Sequence, residues 1–400
     1  MTLDSLIAAA NQQGASDLHL EPGLPAAARV RGSLRIVGEP IPGKMLIELA
    51  RDVIGADAWP HFVERRSADF SRTIGGVRCR INVLHTARGL GFAIRLLTSF
   101  QATIENLNLH PDLKKLVAHT TGLILISGPT GSGKSSTLAA LIQEINLAEP
   151  RHILTIESPI EYIFRARRAF IRQREVGRDT PSFEQGLLDA LREDPDVLMV
   201  GEIREPETMR LTLNAAETGH LVIATVHSGT CAEALQRIVL AFPSEIQSNI
   251  AAQLADSLVA VVCQRLRYRS DLNLRVPECE ILRPNNSVKT FVRNRDFFKL
   301  PQALETGAEY GMWSFERYQA WLSKRTQWHL PNPQDEAPDR EEGGPGEDQT
   351  SGALSLKPAP NPLSPDLPSP VSPTEAKRPR GPIEIEPVEG GLDELIKRLT

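Results

Sequence analysis

The feature that most constrains the fold is the segment GPTGSGKS at positions 128–135. It matches the phosphate-binding pattern G-x-x-x-x-G-K-[ST] at every fixed position. The segment follows an apolar run, LILIS, and leads into SSTLAALIQEI, which has helical character. In a strand, loop and helix of this order, glycines let the backbone wrap closely around phosphates, and the helix N-terminus faces them. The sequence therefore predicts a nucleotide-binding α/β domain.

The side chains of this loop have separate expected tasks. Lys134 is predicted to reach the β- and γ-phosphates of ATP, and the Ser135 hydroxyl is predicted to ligate Mg²⁺. The expected cofactors are therefore ATP and Mg²⁺. The other predicted nucleotide-binding positions are Gly128, Pro129, Thr130, Gly131, Ser132, Gly133 and Ser136.

Three acidic residues stand near the ends of two further apolar runs. Glu202 follows the run Val197–Val200, and open α/β sheets place ligand chemistry at the carboxyl ends of their strands. It is the second predicted metal ligand, with a solvated acid as the alternative. Glu157 and Glu161 flank a Ser-Pro pair after the run ILTI. Paired carboxylates there suit water activation, to which a positioned base contributes about 10²–10⁴-fold in rate; an ordinary polar turn is the alternative.

Two histidines bound the run LVIATV, with His220 before it and His227 after it. On a regular strand, an odd separation places two side chains on opposite faces of the sheet. The pair is therefore not expected to share a metal ion. From the residues alone, a structural role is the alternative for each.

The chain divides into three predicted parts. Residues 1–105 combine a helical pattern, MTLDSLIAAANQQ, with short alternating runs such as SDLHLEP, AARVRGSLRIV, VRCRINVLH and GFAIRLL, typical of an α+β module. In residues 106–330, apolar strands alternate with helices, which indicates a doubly wound α/β domain. Residues 331–400 hold 14 of the 30 prolines and 14 acidic against 7 basic residues, so disorder is expected. Their last stretch, GGLDELIKRLT, is either a docking peptide or a frayed end.

Composition argues against several other classes of protein. The first 330 residues carry 36 acidic and 38 basic residues, so direct binding of nucleic acid is not expected. No apolar run approaches the roughly 20 residues that span a bilayer. The N-terminus lacks the pattern of a signal peptide, which predicts a cytoplasmic location. The four cysteines show no CxxC spacing, which argues against a zinc ribbon.

The order of these motifs resembles that of the secretion-superfamily ATPases, specifically the PilT-type motors of type IV pili. Three segments match that family's Walker A motif, its Asp box, and its Walker B motif followed by the His box: GPTGSGKSST, ILTIESPIEYIF and REDPDVLMVGEIREPETMRLTLNAAETGHLVIATVHS. The segments ASDLHLEPG, ARVRG and RCRINV…GFAIRLL are similar to its PAS-like N-terminal domain. The resemblance covers about residues 1–325. It implies a PAS-like α+β domain followed by a RecA-like P-loop ATPase domain.

The resemblance also implies roles for the acidic residues. Glu202 matches the Walker B glutamate, and Glu161 matches the Asp-box glutamate that polarises the attacking water, with Glu157 as its companion. The family usually has Glu-Asp-Pro where this chain has Glu157-Ser158-Pro159. A serine carries no negative charge, so the role of that aspartate in positioning the metal or holding arginines is lost, and weaker activity is one expected consequence.

Further roles implied by the resemblance involve histidines and arginines. His220 and His227 match the His-box pair that senses the state of the nucleotide. Arg80 and Arg95 match arginines of the N-terminal domain that close on the nucleotide. Such arginines would tie transition-state charge to domain motion.

The function that follows is a hexameric ATPase motor that retracts a type IV pilus, as in twitching motility. The expected partner is an inner-membrane pilus platform protein, with a partner pilus ATPase as a further candidate. The protein would be peripheral, at the inner face of the plasma membrane. Retraction is favoured over assembly because assembly motors usually have a paired-cysteine zinc element and a longer N-terminal region. The alternatives are a PilU-like accessory subunit with weak hydrolysis, which Ser158 supports, and a DNA-uptake or conjugation ATPase.

Overall fold

The computed structural model describes residues 2–30, 33–97, 102–272 and 274–330. The expectations for residues 331–400, including a helix in GGLDELIKRLT, lie outside the described residues. None of the helices in the described ranges combines the length and the apolar character that crossing a bilayer requires.

The N-terminal part of the chain forms an antiparallel sheet with three helices on one face. The elements are α1 (Leu3–Gln12), β1 (Ala15–Leu20), β2 (Ala26–Val30), β3 (Ser33–Val37), α2 (Gly43–Ile54), α3 (Trp59–Arg65), β4 (Ser67–Ile74), β5 (Val77–Thr86) and β6 (Gly89–Leu97). The strand order is β3-β2-β1-β6-β5-β4. The α+β organisation is confirmed, whereas the PAS-like assignment stays a prediction.

The two faces of this sheet differ in character because side chains alternate along each strand. On β5, Cys79, Ile81 and Val83 are buried against the helices. Arg78 and Arg80, which alternate with these residues, share the opposite face. The sheet therefore presents one apolar face to its own core and a polar face toward the rest of the chain.

The second part of the chain is a seven-stranded sheet with helices on both faces. The strands are β7 (Gly122–Ser127), β8 (His152–Glu157), β9 (Phe170–Glu175), β10 (Val197–Val200), β11 (Leu221–Val226), β12 (Leu258–Arg269) and β13 (Leu274–Leu282). The helices are α4 (Lys134–Ala148), α5 (Phe183–Ala190), α6 (Pro206–Glu217), α7 (Cys231–Leu240), α8 (Gln247–Ser257), α9 (Asn286–Arg293), α10 (Leu300–Thr306) and α11 (Phe315–Lys324). Short 3₁₀ helices span Pro111–Lys115, Phe297–Lys299 and Ala308–Tyr310.

The strand order of this sheet is β13-β12-β7-β11-β10-β8-β9, and every neighbouring pair is parallel except β12 and β13. All six residues of β7 are buried, because a parallel sheet is covered on both faces. Leu123 and Leu125 enter one core, and Ile124 and Ile126 enter the other. The predicted doubly wound α/β class is therefore confirmed. The carboxyl ends of β7, β8, β10 and β11 meet at one edge.

The segment that precedes β7 packs against this second sheet. Ala102, Ile104 and Leu113 are buried in the same core as Ile124. Two of these residues come before the predicted boundary between residues 105 and 106, and residues 98–101 lie outside the described ranges. The domain boundaries stay a prediction.

Candidate active site

A cavity of about 790 Å³ opens where the carboxyl ends of the parallel strands face the polar side of the N-terminal sheet. Its size lies within the range of ordinary small-molecule sites. Most of the predicted site residues line it, namely Arg80, Arg95, Thr130, Gly131, Gly133, Lys134, Ser135, Ser136, Glu157, Glu161, Glu202 and His227. Gly128, Pro129 and Ser132 belong to the same loop but are not among the residues that line the cavity.

The phosphate-binding loop is braced by a glutamine that the sequence analysis did not identify. Gln264, which is buried on β12, donates from Nε2 to the carbonyl oxygen of Ser132 at 2.6 Å. Its Oε1 accepts from the Thr137 hydroxyl at 2.6 Å. One side chain thus holds both the loop and the first turn of α4, so the loop backbone is fixed before any ligand binds.

The tightest point of the loop is Gly128. Its φ is +145°, and a Cβ built there would lie 2.3 Å from the carbonyl oxygen of Gln264 and 2.5 Å from Ser132 Oγ. Gly131 also has a positive φ, +77°, but no atom lies within 4 Å of its Cβ position. Left-handed strain alone costs about 1–2 kcal/mol in a residue other than glycine.

We expect Gly128→Ala to lower the free energy of unfolding at least about twice as much as Gly131→Ala, because it adds a backbone clash to the strain. Urea unfolding of the two variants checks this comparison. Equal losses would contradict the close contact with Gln264.

Lys134 lies folded over the loop. Its Nζ donates to the carbonyl oxygens of Gly128 at 2.9 Å and Pro129 at 3.0 Å. The same atom is 3.4 Å from His227 Nδ1. Burial lowers the pKa of Lys134, and the nearby charge of Glu202 opposes this shift. The ammonium group is therefore already at the phosphate-binding loop, held by carbonyl oxygens.

Glu202 lies just beyond β10 and contacts the side chains of a histidine and an arginine. Its carboxylate is 3.0 Å from His227 Nε2 and accepts from Arg204 Nε at 2.5 Å and Nη2 at 2.7 Å. Burial disfavours its charge, but the hydrogen bonds and charges of Arg204 and His227 outweigh burial and lower the pKa. Glu202 is thus held ionised, as a metal ligand must be. Arg204 was not predicted, although it stands two residues after Glu202 in the segment GEIRE.

The two histidines lie at opposite ends of β11. His227 contacts both Lys134 and Glu202, whereas His220 precedes the strand and its Nδ1 lies 3.0 Å from the carbonyl oxygen of Ala215. Six strand residues separate the two rings by roughly 20 Å. The structure does not bring His220 to the cavity, because the two histidines lie at opposite ends of β11 as well as on opposite faces of the sheet.

Glu157 and Glu161 lie in different environments. Glu157 ends β8, is 6% exposed, and accepts from Thr155 Oγ1 at 2.7 Å and Gln173 Nε2 at 3.1 Å. Burial raises its pKa to about 7, partly opposed by those two hydrogen bonds. Glu161 is half-buried and lines the cavity. Glu161 is the better placed of the two to meet a water molecule.

The raised pKa of Glu157 predicts a pH-dependent stability. The pKa is about 7 in the folded chain and 4.5 ordinarily. The stabilisation from the protonated form is therefore complete below about pH 4.5 and is lost as the pH rises through about 7. We expect the wild type to lose up to about 3 kcal/mol relative to Glu157→Gln between pH 4.5 and 8.5. Urea unfolding at several pH values measures this difference, and parallel profiles would contradict it.

Arg80 and Arg95 reach the cavity from the polar face of the N-terminal sheet. Arg80 donates to Asp69 from Nε at 3.2 Å and from Nη2 at 2.6 Å, which raises the pKa of Arg80. Arg95 Nε donates to Asp17 at 3.0 Å. Asp69 also lines the cavity and was not predicted. Both arginines are thus oriented by carboxylates of their own sheet.

The residues of the cavity fit a nucleotide. Ser132 Oγ is buried and has no hydrogen-bond partner within the described residues, and a phosphate group can supply one. The described part of the chain contains no cluster of three or more His, Cys, Asp or Glu side chains that could hold a metal ion without other ligands. Mg²⁺ usually takes one or two carboxylates together with substrate phosphates. Ser135 and Glu202 suit such a shared site.

Comparisons with known proteins agree with this geometry. Residues 1–299 match the family model described as type II/IV secretion system protein. The chain is 39% identical over 314 residues to the type IV pilus retraction ATPase PilT of Pseudomonas aeruginosa, covering 78% of this chain and 91% of that protein. It is 33% identical over 319 residues to the type IV pilus ATPase PilU of the same organism, covering 79% of this chain and 84% of that protein.

A solved structure of the pilus retraction motor PilT with bound ADP is similar to this chain. The TM-score is 0.71 at 34% sequence identity, covering 84% of this chain and 98% of that one. These matches confirm the resemblance drawn from the motifs. The chain belongs to the type II/IV secretion system protein family and is one of its PilT-type ATPases.

Proposed function

We propose that this protein is a hexameric ATPase motor that couples ATP hydrolysis to the retraction of a type IV pilus. The observation that carries the proposal is a single cavity lined by the phosphate-binding loop and by Arg80 and Arg95 of the N-terminal sheet. A nucleotide bound there touches both sheets, so its hydrolysis changes the contacts between them. The PilT relatives support pilus retraction as the use of that motion.

In the proposed reaction, Lys134 leaves the loop carbonyls and contacts the β- and γ-phosphates. Glu161 accepts a proton from a water whose oxygen attacks the γ-phosphorus, the bond to the β-phosphate oxygen breaks, and ADP and phosphate result. Mg²⁺, held by Ser135 and Glu202, would neutralise phosphate charge. Arg80 donates to the transferring group.

The motion follows from what the arginines contact before and after hydrolysis. Loss of the γ-phosphate removes acceptors for Arg80 and Arg95, so the N-terminal sheet is released from the loop. We infer that the N-terminal sheet and its helices move against the second sheet in this step. The moving part would press on an inner-membrane pilus platform protein from the cytoplasmic side, and a partner pilus ATPase would share the task.

Deletion of the gene, followed by counting of surface pili, tests this function. We expect more pili, or pili that never shorten, because assembly continues without retraction. A strain without pili would make the protein an assembly motor and overturn the proposal. A strain complemented with Lys134→Ala controls for loss of the protein itself and should show the same phenotype as the deletion.

A second candidate function is that of an accessory subunit with weak hydrolysis. Ser158 stands in the Asp box without a negative charge and lines the cavity, and PilU is among the relatives. Steady-state hydrolysis by the isolated protein separates the two candidates. Substantial hydrolysis supports the motor, whereas near-background hydrolysis that Ser158→Asp raises supports the accessory role.

Closure of the N-terminal sheet predicts a specific effect of Arg80→Lys. A lysine keeps the charge but lacks the planar fork that Arg80 presents to Asp69 and to a phosphate. We expect turnover to fall at least about tenfold, with a smaller change in the equilibrium affinity for nucleotide. Arg72→Lys is the matched control, because Arg72 contacts backbone carbonyls of Asp52 and Val53 away from the cavity. Equal losses in turnover and affinity would indicate a simple binding role.

A further inference from the structure

Ile160, the residue that precedes Glu161, is held at both of its backbone polar groups. The backbone N–H of Ile160 donates to Glu175 Oε2 at 3.0 Å. The carbonyl oxygen of Ile160 accepts from Arg78 Nη2 at 2.9 Å and Nε at 3.3 Å. Both polar groups of one backbone residue are therefore bound by side chains from outside its own turn.

The two side chains that hold Ile160 come from different sheets. Arg78 lies on β5 of the N-terminal sheet, and Glu175 is the last residue of β9 in the second sheet. Ser71 on β4 joins them, because its backbone N–H donates to Glu175 Oε1 at 3.1 Å and its hydroxyl contacts both Arg78 and Glu175. The junction of the two sheets thus passes through the turn that carries Glu161.

The junction is buried. The side chain of Glu175 is 2% exposed and that of Arg78 is 12% exposed, with Arg78 Nη2 and Glu175 Oε2 3.7 Å apart. Charges in such a place are costly to desolvate, and apolar residues often stabilise a fold as well or better. Stability alone does not explain this pair. What the charged groups provide is a fixed geometry for the turn.

The held carbonyl belongs to the peptide unit that contains the backbone nitrogen of Glu161. Because a peptide unit is planar, fixing the Ile160 carbonyl fixes the start of Glu161. Arg80 lies two residues after Arg78 on β5 and shares its face, with its own guanidinium lining the cavity. One strand therefore holds the turn of the proposed base and also supplies a proposed phosphate ligand.

We propose that Arg78 and Glu175 are positioning residues that hold Glu161 at the attacking water and make its placement depend on contact between the two sheets. The proposal rests on the proposed hydrolysis of ATP with Glu161 as base. Movement of β5 shifts Arg78 and Arg80 together, so the base and the arginine reach their working positions in the same step. Hydrolysis would therefore require closure of the N-terminal sheet, because closure places Glu161 and Arg80 together.

The test compares Arg78→Gln, Glu175→Gln and Arg78→Lys in the full-length chain. We expect kcat to fall about 10- to 100-fold in the two glutamine variants, because a small misplacement of a reacting group has effects of this size. The equilibrium affinity for ADP should change less than about threefold. The kcat of Arg78→Lys should lie between those of the wild type and Arg78→Gln, since a lysine keeps the charge but cannot make both hydrogen bonds to one carbonyl. Arg88→Gln, at the exposed turn between β5 and β6, is the matched control and should leave kcat unchanged.

A double-mutant cycle with Glu161→Gln separates positioning from general loss of structure. If Arg78 acts through Glu161, Arg78→Gln adds little to the loss in single-turnover rate already caused by Glu161→Gln. An equal fold-loss in single-turnover rate on introducing Arg78→Gln into the wild type and into Glu161→Gln would overturn the proposal. If Arg78→Gln fails to fold in thermal unfolding, Arg78→Lys takes its place in the cycle.

The Lys134→Ala variant distinguishes failure of this inference from failure of the proposed function. Hydrolysis that depends on Lys134 but is unchanged in the Arg78 and Glu175 variants overturns the positioning role alone. An absence of any hydrolysis that depends on Lys134 overturns both proposals.

Discussion

Glu161→Gln is expected to lower the rate of ATP hydrolysis by about 10²- to 10⁴-fold, the contribution of a positioned general base. The glutamine keeps the size of the side chain but accepts a proton far less readily. Affinity for nucleotide should change little, because the loop and Lys134 still hold the phosphates. Single-turnover hydrolysis, together with equilibrium binding of a fluorescent ATP analogue, measures the two effects separately.

Glu157→Gln is the matched comparison for this prediction. Glu157 is buried and already bonded to Thr155 and Gln173, and with a pKa of about 7 it is a weakly charged neighbour at neutral pH. We expect its loss to cost less than about tenfold in rate. If Glu157→Gln were the more damaging of the two, the base would be Glu157, and the assignment to Glu161 would be wrong.

Lys134→Ala is expected to abolish both nucleotide binding in the micromolar range and hydrolysis. The variant removes the ammonium group that lies on the loop and would contact the β- and γ-phosphates. Lys324→Ala, at the exposed end of α11, is the control for loss of one positive charge. Isothermal titration with ATP and Mg²⁺ measures the binding. Affinity retained in Lys134→Ala would show that the nucleotide does not lie against this loop.

The sequence was most informative where structure depends on neighbouring residues. The loop at 128–135 and the strand and helix around it follow from a contiguous pattern, and the structure has them as predicted. Buried parallel strands such as β8, β10 and β11 are continuous apolar runs, which are visible in sequence. The run AARVRGSLRIV, by contrast, became the two strands β2 and β3. Strand β4 and the helices α2 and α3 were not predicted, although Leu46, Ala50 and Val53 of α2 recur at helical spacing and are buried.

The parts of the site that sequence analysis missed depend on distant residues. Gln264 contacts a residue 132 positions earlier in the chain, and Asp69 contacts Arg80 only because β4 pairs with β5. Contacts of this kind are set by strand order, which the sequence pattern does not specify. Arg204 is the exception, since it stands two residues from Glu202. A cation so close to a predicted metal ligand is a local signal that could have been used.

The folded-back position of Lys134 has a consequence for the exchange of product. The lysine already satisfies the carbonyl oxygens of Gly128 and Pro129, so an arriving phosphate must displace an internal partner of that lysine. Each nucleotide therefore binds more weakly than it would to an unoccupied ammonium group. We expect the lysine to donate to the same carbonyls again when ADP leaves. The loop carbonyls therefore compete with the bound phosphates for Lys134. This competition favours rapid release of ADP between one cycle of hydrolysis and the next.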